Sequence, residues 1–344
     1  MPVSTISERP DLDTGPLLRV RDLAVEFRRG GTDTSTVRAV NGVSLELAPA
    51  TALGILGESG SGKSVTAKAL MGILPVPAAR VTGGSALLRG ELDLLSMDER
   101  TRRRTIGSRV AMVFQDALTA LNPVHPVGRQ IAELYRVHRG MSRAAARQAA
   151  VRMMDRVRIP DAARRAGDYP HQFSGGMRQR IVIAMALALD PEVLIADEPT
   201  TALDVTVQAQ ILDLLREQQQ ERRMGLILIT HDISVVSEVT DEVAVMYAGR
   251  LVEQGPTGQV LARPAHPYTV GLSRSVAGAG PDGRLPAIPG APPDLALLPG
   301  GCSFAPRCAQ VRDRCLTEVP VSLPVGPGRR AACHVTEEVL VGGR

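Results

Sequence analysis

Apolar and polar positions alternate in two early stretches. Leu17 to Phe27 and Val37 to Leu47 each read as a half-buried strand, and Gly30 with Gly31 breaks the chain between them. Thr51 to Leu56 is instead a short apolar run bounded by glycine, the pattern of a parallel strand covered on both faces. Val65 to Leu74 takes up the helical period and stops at Pro75, and residues 130–165 are helical in period as well. Then a helix (Arg178 to Leu189), a strand (Val193 to Ala196), a helix (Val205 to Arg222), a strand (Leu226 to Thr230) and a helix (Ile233 to Val239) follow in turn. Strands alternating with helices predict an α/β fold with a mostly parallel sheet. After Gly255 neither period persists, and residues 256–327 hold 13 of the 25 prolines. The pattern thus divides the chain into a flexible lead-in (1–16), an α/β domain (17–256) and an irregular tail (257–344).

Composition narrows the class. With 344 residues, 44% hydrophobic and 22% charged, the chain can bury a real core. Its longest apolar run, Ile181 to Leu189, is nine residues, about half of the ~18–20 that a bilayer span needs. Met1 to Pro16 carries acidic and proline residues where a signal peptide is apolar, so the chain is expected to stay in the cytosol. The net charge of +4 is mild, and four Phe, four Tyr and no Trp argue against a base-stacking nucleic-acid surface. Arginines recur through the helical stretch at 136, 139, 143, 147, 152, 156, 158, 164 and 165. They read as a solvated face or as a surface beside anionic lipid, and charge alone does not choose.

The chemistry begins at Gly57-Glu58-Ser59-Gly60-Ser61-Gly62-Lys63-Ser64, a complete G-x-x-x-x-G-K-[ST] between a predicted strand and a predicted helix. Its glycines let backbone N–H groups turn inward around phosphate oxygens, and the helix N-terminus adds positive potential. Lys63 is expected to reach the β- and γ-phosphates and the Ser64 hydroxyl to ligate Mg²⁺. Val193 to Ala196 runs into Asp197 and Glu198, which puts a Mg²⁺-holding carboxylate at the carboxyl edge of the sheet and a general base beside it. Between these motifs, Phe173-Ser174-Gly175-Gly176-Met177-Arg178-Gln179-Arg180 opens a long helix with a second anion-binding N-terminus. One site has no use for two such cradles. The second fits an ATP held mainly by another subunit.

Taken in order, the phosphate loop, Gln115 in Met112-Val113-Phe114-Gln115-Asp116, Ser174-Gly175-Gly176, Asp197-Glu198, Ala202-Leu203-Asp204 and His231 resemble an ABC-transporter ATPase domain over roughly residues 17–256. Phe173 and Met177 stand where that family usually has Leu and Gln. The resemblance implies a P-loop NTPase of ABC type: a mostly parallel core, an antiparallel β subdomain and an α-helical subdomain over about 117–185. It implies two such domains head to tail with ATP between them. Gln115 would then sense the γ-phosphate, Mg²⁺ and the attacking water, His231 would contact the γ-phosphate, Asp204 would communicate across the interface, and Phe27 would stack on adenine. Glu198, His231, Gln115 and Lys63 form the expected catalytic set, and Ser64, Gln115 and Asp197 the expected Mg²⁺ set. Phe27, Gly57, Ser59, Gly60, Ser61, Gly62, Lys63, Ser64, Ser174, Gly175, Gly176 and Asp204 would bind nucleotide.

The tail holds every cysteine, spaced Cys302-x5-Cys308-x6-Cys315-x17-Cys333. In a reducing compartment this reads as a metal site, zinc or an iron–sulfur cluster. The tail also resembles the C-terminal extension of oligopeptide/dipeptide importer ATPases. The likeness lies in His266-Pro267-Tyr268-Thr269 with Leu272, Ile288-Pro289-Gly290-Ala291-Pro292-Pro293 with Leu295, and Gly301-Cys302-Ser303-Phe304-Ala305-Pro306-Arg307-Cys308, together with Leu121-Asn122-Pro123. That resemblance implies a [4Fe–4S] cluster on Cys302, Cys308, Cys315 and Cys333, with zinc as the alternative. It implies peptide uptake, on the cytoplasmic face of the membrane, beside a second ATPase (a paralogue by preference), two permease subunits and, indirectly, an external binding protein. The rival class is a soluble ABC ATPase acting on nucleic acid or ribosomes. The 59 positions from Gln115 to Ser174 leave room for a helical subdomain but not for the long insertions of DNA-repair forms.

Overall fold

The computed structural model describes residues 15–28, 36–201, 203–276 and 288–342. The lead-in over 1–14, Gly30, Gly31 and Ala202 of the third aspartate motif lie outside the described residues. Strands β1 (Leu18–Arg28) and β2 (Thr36–Leu47) pair antiparallel, as their alternation requires. Next, β3 (Ala52–Leu56) is buried at every position, and helix α1 (Lys63–Met71) follows it directly through the phosphate loop. The helix ends before Pro75 because Gly72, in the left-handed region at φ +66, returns its N–H to the last turn. Strands β4 (Ala79–Leu88) and β5 (Leu92–Asp93) complete a four-stranded antiparallel sheet in the order β2-β1-β4-β5.

Helix α2 (Glu99–Thr105) and strand β6 (Val110–Val113) lead into a run of helices: α3 (Ala117–Ala120), α4 (Val127–Arg139), α5 (Arg143–Arg156), α6 (Ala162–Arg165) and α7 (Gly175–Leu187). Their apolar faces share one cluster, including Ile131, Tyr135, Met154 and Ile181. Several of the arginines are spent on neighbours. Arg136 pairs with Glu133 at 2.8 Å, Arg139 with Asp190 at 2.7 Å, Arg158 with Glu217 at 2.5 Å and Arg165 with Asp168 at 3.2 Å. These four are paired within the domain.

Strands β7 (Val193–Asp197), β8 (Gly225–Thr230) and β9 (Glu242–Tyr247) alternate with helices α8 (Val205–Arg222) and α9 (Ile233–Val239), and β10 (Arg250–Pro256) returns antiparallel to β9. Where no period was legible, the tail forms α10 (Thr257–Ala262), α11 (Pro267–Val276), α12 (Asp313–Thr317), β11 (Leu323–Gly326), β12 (Arg329–Ala331) and α13 (Thr336–Gly342). Pro267 opens α11, where its missing N–H costs nothing. The main sheet runs β11-β12-β10-β9-β3-β8-β7-β6, parallel from β9 to β6, so hydrogen bonding continues from the α/β core into the tail. Tail residues Tyr268, Leu272 and Phe304 are buried with Leu56, Val236, Val245 and Tyr247 of the core. At about 1.5–3 kcal/mol for each large apolar side chain, these anchors hold the tail against the sheet.

Candidate functional site

The site forms at the carboxyl ends of β3 and β7, where parallel strands hand over to helices. Two of the loop glycines have a steric reason. A Cβ on Gly57 would overlap the Met246 carbonyl oxygen, and Gly62 sits at φ +107 with the Ala39 carbonyl 2.5 Å from where its Cβ would stand. The loop therefore lies tight under β9 and β2. Lys63 is buried, and its Nζ donates to the carbonyls of Gly57 at 2.7 Å and Glu58 at 2.9 Å. Burial pushes its pKa down, while Glu198, Asp197 and Glu58 push it up. The Ser61 hydroxyl is buried and has no hydrogen-bond partner. An unspent donor at the centre of a glycine loop, beside a buried ammonium, fits a bound phosphate.

Ser64 Oγ donates to Asp197 Oδ1 at 2.9 Å, so the two expected Mg²⁺ ligands from opposite ends of the domain already touch. Burial raises the Asp197 carboxyl above the ordinary aspartate range. One carboxylate and one hydroxyl suit Mg²⁺, which keeps waters and takes substrate phosphates for its remaining positions. Gln115, the third expected ligand, bonds elsewhere: its Nε2 donates to Glu198 Oε2 at 3.0 Å.

Glu198 is the hub of the site. It accepts from Gln115, its Oε2 also accepts from Thr201 Oγ1 at 2.9 Å, and His231 Nδ1 lies 3.2 Å from Oε1. Its backbone holds φ +46, an uncommon value outside glycine, fixed by its N–H donating to the Ile229 carbonyl at 2.9 Å. The carboxylate is thus locked by side chains from three places in the chain. Thr201 has no role in the sequence reading; its place three residues after Glu198 is the signal that could have found it.

Ser174 caps α7, accepting from the Met177 N–H at 3.4 Å, and it is exposed together with Gly175. Gly176 is forced, because a Cβ there would overlap Val207 Cγ1 of α8. Phe173 is buried under the Arg165 guanidinium, 4.2 Å from its ring centre. Asp204 caps α8 by accepting from the Val207 N–H at 2.9 Å. Phe27 is half-buried near the end of β1 and packs in the same cluster as Val65 of α1.

The four tail cysteines come from separate stretches of the chain. Cys333 is pushed up to about 11 by burial, with the other three thiols adding to the shift, so the four share one neighbourhood. Burial also raises Cys302 and Cys308. Yet among the described residues no group of three or more His, Cys, Asp or Glu is arranged to hold a metal. A backbone bond ties two of the segments, the Cys302 N–H donating to the Cys315 carbonyl at 2.8 Å, and locally the Val335 N–H donates to Cys333 Sγ at 3.5 Å.

Two residues missed as site residues touch the phosphate loop from the tail. Glu58 N–H donates to the Tyr268 hydroxyl at 2.9 Å, and Arg307 donates to both Glu58 carboxylate oxygens at 2.7 and 3.0 Å.

Comparison with known proteins matches this geometry. The ABC transporter family model matches residues 40–201, and the model for the oligopeptide/dipeptide transporter C-terminal region matches residues 252–315. A Brucella melitensis protein named as a peptide import ATP-binding protein is 48% identical over 335 residues, 94% of this chain and 98% of its own. A relative of the same name in Brucella abortus is 49% identical over 323 residues, 94% of this chain and 96% of its own. Among solved structures, cbiO1 of Clostridium perfringens, part of an ABC transporter complex, matches with TM-score 0.59 and 28% identity, covering 72% of this chain and 91% of its own. A dimeric ATP-binding cassette bound to ADP and Pi shares the fold at TM-score 0.61 and 24% identity, over 70% of this chain and 98% of its own. The chain belongs to the ABC-transporter ATPase family, in the group that carries the oligopeptide/dipeptide transporter C-terminal region.

Proposed function

We propose that this ATPase powers uptake of di- and oligopeptides through a membrane ABC importer. The observation that carries the reading is Glu198, held by Gln115, Thr201 and His231 beside the Ser64–Asp197 pair. A carboxylate fixed by neighbours and aimed beside a phosphate cradle can orient and deprotonate a water for attack on a γ-phosphate. Lys63 neutralises charge on the transferring group, and bound Mg²⁺ would supply further positive charge there. Among the described residues no helix is long and apolar enough to cross a membrane, so the transport path belongs to partners: two permeases, with an external binding protein delivering cargo.

Ser174, Gly175 and Gly176 present their helix N-terminus outward, which suits completion of an ATP site on a second ATPase, a paralogue by preference. In that pair Asp204 speaks across the interface, Phe27 stacks on adenine, and Gly57, Ser59, Gly60, Ser61 and Gly62 surround the phosphates. The assembly sits on the cytoplasmic membrane face. For the tail, the narrower reading is that Cys302, Cys308, Cys315 and Cys333 close around a [4Fe–4S] cluster, with zinc as the alternative; their shared neighbourhood supports it. Affinity purification from detergent-solubilised membranes, with partners and metal quantified together, tests the whole reading. Recovery of two permeases and ATP-dependent peptide uptake is the expected result. Recovery of ribosomes or DNA without permeases sinks it. A colourless preparation without absorbance at about 400 nm and with stoichiometric zinc sinks the iron assignment alone.

A further inference from the structure

Two separate stretches of the tail reach one residue of the phosphate loop, and a third braces the second. From α11, the Tyr268 hydroxyl accepts the Glu58 N–H at 2.9 Å. From the 3₁₀ turn Ala305–Arg307, the Arg307 guanidinium grips the Glu58 carboxylate with two nitrogens, at 2.7 and 3.0 Å. The stretch around Pro289 completes the mount, because the Pro289 carbonyl accepts from Arg307 Nε at 2.9 Å. Neither tail side chain has freedom to wander. The Tyr268 ring is fully buried against Tyr247 at 4.6 Å and Phe304 at 5.5 Å between centroids, and the Arg307 side chain is 6% exposed. On its other side, the Glu58 carbonyl accepts from Lys63 Nζ at 2.9 Å. Glu58 is therefore held by its N–H, its carboxylate and its carbonyl at once, and two of the three holds come from the tail.

We propose that Tyr268 and Arg307 are positioning residues of the ATP site: through Glu58 they set the phosphate loop, and with it the Lys63 ammonium, in the shape that receives ATP. The inference rests on the reading of this loop as an ATP site. It makes the C-terminal region part of the nucleotide-binding apparatus. The geometry reaches ATP binding first and the chemical step only through Lys63, because Glu198, Gln115 and His231 lie outside this chain of contacts.

The test uses the full chain, with MgATP binding at equilibrium and steady-state hydrolysis measured alongside thermal melting. Tyr268→Phe removes one hydroxyl and keeps the buried ring. It is expected to weaken MgATP binding by about 3- to 10-fold, the scale of one hydrogen bond, and to raise KM more than it lowers kcat, with the melting midpoint in place. Arg307→Ala is expected to weaken binding by about tenfold or more, with Arg307→Lys recovering part of the loss because it keeps the charge without the fork. Glu58→Gln combined with Arg307→Ala is expected to be less than the sum of the two, since both cut one contact. Tyr268→Phe and Arg307→Ala chains that bind MgATP as tightly as wild type overturn the inference, as does a loss of binding that only follows a fall in melting midpoint. A wild-type chain that binds no MgATP overturns the ATP-site reading and this inference together; a binding wild type with unaffected variants overturns this inference alone.

Discussion

At the scale of single residues, the site separates chemistry from binding. Glu198 is expected to be the base, so Glu198→Gln should lower phosphate release by about 10²–10⁴-fold and leave MgATP binding near wild type. Phosphate release and equilibrium binding measured on the same preparation check this; brisk hydrolysis by the variant, paired with an equally mutated partner, would rule the role out. Asp197 adds a pH dependence with a definite sign. Burial raises its carboxyl pKa, so the folded protein keeps that proton to higher pH than a free aspartate does. Mg²⁺ held by Asp197 would have to displace that proton, so the Mg²⁺ concentration needed for ATP binding should rise as pH falls toward the raised carboxyl pKa. Asp197→Asn should bind weakly and lose this dependence. A flat Mg²⁺ requirement in the unmutated chain would contradict it.

At the scale of elements, the glycines and caps tell what each turn is for. Gly57→Ala would drive a Cβ into the Met246 carbonyl, a backbone group that cannot swing away. Overpacking of this kind costs about 1–3 kcal/mol, so a lower melting temperature and weakened ATP binding are expected together. Ser174→Ala asks a different question. As a cap on α7 its hydroxyl contributes about 1 kcal/mol. If Ser174 also faces a partner's phosphate, ATPase activity of the assembled pair should fall far more than that stability loss explains, while the isolated chain still binds ATP. Activity that tracks stability alone would reduce the serine to a cap. These elements were legible in sequence because glycine, proline and capping residues act locally. The end of α1 at Gly72 rather than Pro75 was a choice between two local stops, settled by which came first.

At the scale of the whole molecule, the tail is fastened to the sheet by a buried charge pair. Arg329 of β12 donates to Glu253 of β10 at 2.9 Å, with side-chain exposures of 7% and 0%. The Glu253 oxygens also accept the N–H groups of Ala265 and His266, while burial raises the Glu253 carboxyl pKa. Arg329→Ala should cost about 3–5 kcal/mol by leaving that carboxylate buried with no cation; replacing both partners by Met and Leu should cost much less. Denaturant melts of the three chains measure the difference, and equal losses would remove the pair from its role. The chemistry expected of the engine is legible in the chain: the phosphate loop, the candidate metal carboxylate, the candidate base and the helix N-terminus are each written in a few contiguous residues, because a strand running into a turn and a helix forces their geometry. The sequence also marks the tail as different in texture near residue 256. Long-range packing is what makes the tail's strands extend the same sheet, brings its four thiols into one neighbourhood and carries Arg307 to Glu58 across 249 positions. Such contacts carry no local signature, since their partners are chosen by the packing of the whole chain and not by spacing along it.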